Sequence, residues 1–209
     1  MGSGSSFSFC NLAGMKAADF PRVEIASRAE WRQWLLENHE TSGSIWLVTW
    51  KKASGGPYVH YNDVVEEALC FGWVDGQGRG LDAERTMLLL SRRKKGSGWS
   101  KPNKERVARL REAGLMMPAG EAAIAEAIAN GSWTLLDDVE QTIIPDDLAV
   151  ALLQFPRADA NFRAFPPSVQ RAILQWIVQA KRPETRTKRI EETARLAADN
   201  IRANQWVKK

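Results

Sequence analysis

The chain has 209 residues, enough for one large domain or two small ones. Its 44% hydrophobic and 26% charged content is ordinary for a soluble globular protein. The net charge is only +4, and no apolar run approaches the roughly 20 residues that a membrane span requires. Nine tryptophans against two tyrosines is an unusual balance; tryptophan fills cores and also forms ligand-stacking walls.

Residues 1–19 read as a flexible leader. The stretch MGSGSSFSFCNLAGM lacks the charged n-region and apolar h-region of a signal peptide, so a cytoplasmic location is expected. Cys10 lies in this leader and Cys70 on an apolar helix. Contexts so different do not predict a disulfide, and a reducing compartment fits.

Arg22–Ile25 predicts a short strand. Ser27 then opens a helix, with Glu30 three residues on completing a capping box. Trp31, Trp34, Leu35 and Asn38 mark its buried face. Ile45–Lys52 is apolar on both faces, which predicts a central strand. After the loop Ser54–Pro57 a second helix runs from His60 or Asn62 to Phe71, with Gly72 as its C-terminal cap. Val74–Arg79 and Thr86–Ser91 predict a hairpin, and alternation places Asp75, Gln77 and Arg79 on one face of it. Ser100 caps a third helix, on which Asn103, Val107, Leu110 and Gly114 form an inward stripe. Lys101, Lys104 and Arg111 fall on its outer side.

From Met117 onward strand signals nearly vanish. A short helix is expected over Gly120–Asn130 and a connector over Trp133–Ile144. Further helices follow near Asp146–Gln154, Ala158–Phe165, Ser168–Lys181 and Glu184–Asn204, punctuated by Pro156, Pro166, Pro167 and Pro183. The pattern is that of an α+β protein. A small antiparallel sheet with covering helices occupies residues 20–117, and a helical half occupies 118–209.

The chemistry concentrates in one stretch. Arg92–Arg111 holds nine Lys/Arg and a single acid, Glu105, so this segment is +8 in a chain of +4. Basicity this local suits either an anion-facing surface or a solvated helix face. The basic patch comprises Arg92, Arg93, Lys94, Lys95, Lys101, Lys104 and Arg111. The Gly-rich loop before Ser100 offers backbone N–H groups to an anion, although it is not a P-loop. Trp73, Asp75, Arg79, Arg85, Arg92, Trp99, Ser100 and Asn103 are candidate ligand-binding residues, an aromatic wall with an arginine fork suited to carboxylate or phosphate. The competing reading makes the aspartate and arginines an internal salt-bridge network.

Catalytic templates fit poorly. His39 and His60 are the only histidines, and no zinc-ligand spacing is present. Cys70 with His60 forms a conceivable nucleophile–base pair, but Cys70 reads as a core residue. No catalytic residue, metal or cofactor is assigned. Arg186, Lys188 and Arg189 sit at the N-terminus of the last helix, where the helix dipole disfavours cations; pairing with acids of the front half accounts for them.

Two long stretches carry a family resemblance. One is EEALCFGWVD with the spaced arginines and WSKPNKERV after it. The other is IPDDLAVALLQFP followed by FPPSVQRAILQWIVQAKRPETRTKRI. Together they resemble the YdeI/OmpD-associated, or bacteriocin-protection, proteins from about Arg22 to Trp206, with the OmpD-associated-like region at about 144–204. The resemblance implies a small bacterial protein with an α+β front half and a helical tail, linked to porins and to resistance to cationic peptides or bacteriocins. It brings no catalytic residue with it.

The leading expectation is a non-enzymatic binding protein for a small anionic ligand or a protein partner. An enzyme using the Asp75/arginine pocket is the alternative, and nucleic-acid binding ranks below both. Strand-tracking sites interleave basic residues with exposed aromatics. The basic run offers only Trp99, and the remainder of the chain sums to −4. Oligonucleotide titrations should therefore show weak binding that collapses with added salt. Sub-micromolar affinity at physiological salt, lost on reversing Arg92, Arg93, Lys94 and Lys95 to Glu, would reverse this ranking.

Overall fold

The computed structural model describes residues 19–204. The predicted leader up to residue 18, with Cys10, and the tail containing Trp206 lie outside the described residues. The described chain divides into two compact units. The first runs through Arg93 and takes in Leu110–Ala122; the second comprises Lys94–Arg109 and the chain from Ala123 onward.

The first unit is built on a four-stranded sheet: β1 (Arg22–Glu24), β2 (Ile45–Trp50), β3 (Trp73–Gly80) and β4 (Arg85–Arg92), in the order β1-β2-β4-β3. β2 is central, as its two apolar faces predict: Ile45, Trp46, Leu47 and Val48 are all buried. The sheet is mixed, not purely antiparallel, because β1 pairs with β2 in parallel. The helix α1 (Arg28–Asn38) lies between the two strands and makes the crossover that a parallel pair requires. Ser27 caps α1, its Oγ accepting from the Glu30 N–H, while the Glu30 carboxylate reaches back to the N–H of Ala26 at 2.8 Å.

Helix α2 (Tyr61–Cys70) packs on β3 and against α1. The Trp31 indole donates to the carbonyl of Val64, and the Trp73 indole to that of His39. Gly72 ends α2 in the left-handed conformation (φ 72°), as expected of a C-terminal cap. Gly120, at the start of α4 (Pro118–Ala129), lies so close to the end of α2 that a Cβ there would sit 2.3 Å from the Cys70 carbonyl oxygen. Only glycine fits that crossing.

One buried carboxylate fixes α1 against α2. Glu67 is 2% exposed. It accepts from Arg28 Nε at 2.7 Å and from Arg32 Nη1 at 2.6 Å. Arg28 also engages Asp63 and Glu66, and Arg32 continues to the carbonyl of Leu115.

The second unit gathers α5 (Asp137–Glu140), α6 (Asp146–Leu153), α7 (Ala158–Ala164), α8 (Pro167–Val178) and α9 (Pro183–Ala198) around one core. Leu148, Leu152, Phe162, Ile173, Leu174 and Ile177 are completely buried in it. The short α5 occupies the expected connector. Helix α9 stops at Ala198, before the Asn204 that periodicity suggests. Asn200 adopts the left-handed conformation (φ 56°), the Ile201 N–H bonds back to Leu196, and the Asn161 amide takes the Ala197 carbonyl. Helices α3 (Lys101–Glu112) and α4 cross the division between the units, with Lys101–Arg109 in the second and Leu110–Glu112 in the first.

Removing Glu67 leaves two guanidinium groups facing an apolar gap. Glu67→Ala is expected to destabilise by about 3 kcal/mol, a value moderated by the partial exposure of both arginines. Arg85→Ala at the exposed hairpin should cost far less, because solvent screens its ion pairs. Urea denaturation of the two variants checks the difference; equal effects would remove the special role of Glu67.

Candidate functional site

The predicted arginine pocket is not assembled. Asp75 pairs with Leu90 across the hairpin, whereas Arg79 pairs with Met87, because β3 carries one extra residue between Asp75 and Gly78. That bulge reverses the alternation, so Asp75 and Arg79 lie on opposite faces and not on the shared face that simple alternation predicts. Asp75 accepts from the Tyr61 hydroxyl at 2.6 Å. The Arg79 guanidinium stacks over Trp46 at 4.1 Å. Arg85 is held by Asp82 at 2.8 Å and Glu24 at 2.9 Å, spanning the sheet from β4 to β1. Arg92 donates to the Glu40 carbonyl. Trp73 and Trp99 are completely buried or nearly so and form no ligand wall. Trp99 packs on Trp133, with ring centroids 4.9 Å apart.

The basic run is likewise divided. Arg92, Arg93 and Arg111 fall in the first unit, and Lys94, Lys95, Lys101 and Lys104 in the second. Arg111 pairs with Glu121 through its Nε at 2.9 Å. Lys95 pairs with Glu126 at 2.7 Å. Lys104, expected to point outward, instead turns in to Asp137 and lies over the Trp133 ring at 5.3 Å. Burial pulls the Arg93 guanidinium down to about 10, with the Asp75 charge opposing the fall, so it keeps its proton at neutral pH. Asn103 is buried as its stripe predicts, and its Oδ1 accepts from Arg106 Nη1 at 3.0 Å. The Ser100 carbonyl receives the N–H groups of Asn103 and Lys104 at the start of α3.

Apart from the hollow lined by Lys101, Lys104, Asp137, Glu140 and Gln141, two concave features stand out among the described residues. A groove of about 400 Å³ in the second unit runs between the loop Lys94–Gly98 and the segment Val178–Lys181. Ser97 closes the loop by bonding back to the Lys94 carbonyl through both its N–H and its hydroxyl, while Gly96 takes the left-handed turn (φ 72°). A Cβ on Gly98 would meet Leu136 at 2.7 Å, so glycine lets the loop lie flat on the helical core. A second pocket, of about 380 Å³, opens on the sheet of the first unit between β2, β4 and the start of α2. Sequence reasoning missed this pocket, since its walls come from segments without shared periodicity.

Against the family patterns, residues 23–123 match a domain of unknown function (DUF8412). Residues 141–200 match the family described as bacteriocin-protection, YdeI or OmpD-associated. The chain carries an OmpD-associated domain. That domain comprises α6–α9, close to the OmpD-associated-like region of about 144–204 read from the sequence, and the front half matches a family of its own. Neither the curated proteins nor the solved structures compared with the chain gave a match.

The quoted motifs of the OmpD-associated domain are largely architectural. Leu148 and Leu152 of IPDDLAVALL, and Ile173, Leu174 and Ile177 of FPPSVQRAILQWI, are core residues. Arg186 forms a two-point pair with Asp147, at 2.7 and 2.9 Å, which holds the Asp147 carboxylate below its usual range. Arg189 donates to the Trp176 carbonyl and lies over its ring. Arg186 and Arg189 are thus answered within the helical half, not by acids of the front half.

Among the described residues no cluster of His, Cys, Asp and Glu is arranged to hold a metal ion, and no helix is long and apolar enough to cross a membrane. His60 is the N-cap of α2 and Cys70 its last residue, so the helix separates them. Desolvation, and then the Glu67 charge, raise the Cys70 thiol to about 11 from an ordinary 9.0. The folded state thus favours the neutral thiol, while the unfolded chain ionises first. The stability this gives is complete below pH 9 and is lost as pH climbs towards 11. The unfolding free energy of the native chain should therefore fall more steeply across that window than that of Cys70→Ala, as measured by urea denaturation at stepped pH; parallel curves would refute it.

Proposed function

We propose that the protein is a non-enzymatic binding protein for a small anionic ligand, acting through the groove between Lys94–Gly98 and Val178–Lys181. The observation that carries this reading is the lining: every ionisable side chain in it is a lysine, Lys94, Lys95 and Lys181. Helix α8 ends at Val178 and turns about half a negative charge towards the groove. Glu126 answers Lys95. The positive charge exceeds both together, so an anion is the complementary occupant. Glycines at 96 and 98 keep the loop low, which leaves room for a compact polyvalent anion.

The groove joins the basic loop to a segment inside the OmpD-associated domain, which ties the reading to that family's described role. On this reading the protein contributes to bacteriocin or stress tolerance by engaging an anionic small molecule or an acidic partner, and not by chemistry on it. Engagement of Arg79, Arg85 and Asp75 elsewhere removes support from the enzyme alternative. The pairing of Lys95, Lys104 and Arg111 with acids weakens the nucleic-acid alternative.

Calorimetric titration with inorganic pyrophosphate tests the groove. Binding is expected at low ionic strength and should weaken with salt. In Lys94→Glu/Lys181→Glu it should fall by at least about tenfold, since each reversal at contact distance contributes about 1 kcal/mol even in water. Binding of pyrophosphate that ignores both reversals, or none at low ionic strength, would overturn the assignment.

A further inference from the structure

The pocket on the sheet of the first unit has a different chemistry from the lysine groove. Its floor is the β2/β4 pair, where Leu47 faces Leu88 and Thr49 faces Thr86. β3 contributes Gly76 and Gly78, so that edge of the floor is bare backbone. Trp50, Tyr58 and Tyr61 form aromatic walls, and both tyrosines are about half exposed, at 44% and 48%. Gly56 seats the intervening loop directly on the Trp50 ring, where a Cβ would approach to 2.3 Å. A volume of about 380 Å³ lies within the range of small-molecule sites.

The hydrogen-bonding character follows from where the lining protons already go. The Tyr61 hydroxyl donates to Asp75 at 2.6 Å. The Thr86 hydroxyl donates to the Arg79 carbonyl at 2.9 Å. Two N–H bonds of Lys51 are held by the carbonyls of Asp82 and Ala83, at 2.7 and 3.0 Å. Tyr61 and Thr86 thus commit their protons within the protein and keep acceptor capacity, whereas the Thr49 and Tyr58 hydroxyls turn either way and Lys51 keeps a third N–H. A ligand that brings its own proton is well matched.

We infer that this pocket binds a free planar aromatic molecule carrying an N–H or O–H donor, its ring lying on the glycine-bare floor between the aromatic walls and its donor directed at the lining oxygens. Flat rings gain most from aromatic walls in offset or edge contact, and the glycines at 76 and 78 let such a ring approach the β3 backbone closely. The inference concerns the first unit and is independent of the anion groove.

Indole and benzofuran, the same shape with and without an N–H, separate the donor from the ring. In amide-resolved NMR titrations of the full chain, indole should give saturable shifts at Leu47, Gly76, Gly78 and Leu88. Benzofuran should bind about tenfold more weakly, the effect of leaving a desolvated acceptor unpaired. Gly78→Leu should abolish both. A Cβ at Gly78 makes only ordinary contacts, 3.8 Å from Leu88 Cδ1 and from the Met87 carbonyl, so the side chain fills the floor without disturbing the sheet. Equal affinity for the two probes, shifts confined to residues outside the pocket, or undiminished binding by Gly78→Leu would each overturn the proposal. Should that variant fail to fold, the two probes on the native chain still decide. N-acetyltryptophanamide binding more tightly than indole would also overturn it, because the occupant would then be a peptide's tryptophan.

Discussion

The first unit depends on how α1 lies against α2, and that contact turns on a carboxylate removed from water. Burying Glu67 alone would be costly, and the attraction of one arginine rarely offsets the desolvation of both partners. Here two guanidinium groups share the charge, and each keeps contact with solvent. Arg28 gathers Asp63 and Glu66 as well, and Arg32 lies over Phe71 and reaches the Leu115 carbonyl. The network couples α1, both ends of α2 and the chain that returns to this unit at Leu110. The position of α2 in turn sets Tyr61 and Val64 at the sheet pocket. It also presents the Cys70 carbonyl to the Met117 N–H.

The same economy governs the OmpD-associated domain. Its most recognisable residues are those that close its core or join α6 to α9, and Asp147 with Arg186 is the clearest case. The pair reconciles a local conflict. Arg186 stands where the α9 dipole disfavours a cation, and Asp147 stands in the first turn of α6, where an anion is welcome. A two-point pair between them satisfies both ends. The residues of the proposed anion groove come from less regular stretches, the loop Lys94–Gly98 and the turn after α8.

Much of this was legible from the residues alone. Ser27 with Glu30 marks the start of α1 because the capping geometry is local. Ile45–Trp50 is identified as central because only a strand covered on both sides keeps both faces apolar. Gly72 reads as a cap because the left-handed conformation there suits glycine. The Glu67 network left a weaker trace, Arg28 and Arg32 four residues apart facing a helix with Asp63, Glu66 and Glu67. Helical spacing puts such charges on one face, but nothing in the sequence says that this face is the one α2 meets.

The sequence by itself determined the elements, the α+β order, the inward turn of Asn103 and the apolar faces, because these follow from periodicity and capping within a few residues. Tertiary structure decided the rest. A single bulged residue in β3 separated Asp75 from Arg79, and a parallel β1 completed the sheet. The basic run was divided between two units, where Glu126, Asp137 and Glu121 answered Lys95, Lys104 and Arg111. Such outcomes depend on which segments meet in space. A pattern read along one dimension records the charge on a side chain but not the partner that will neutralise it.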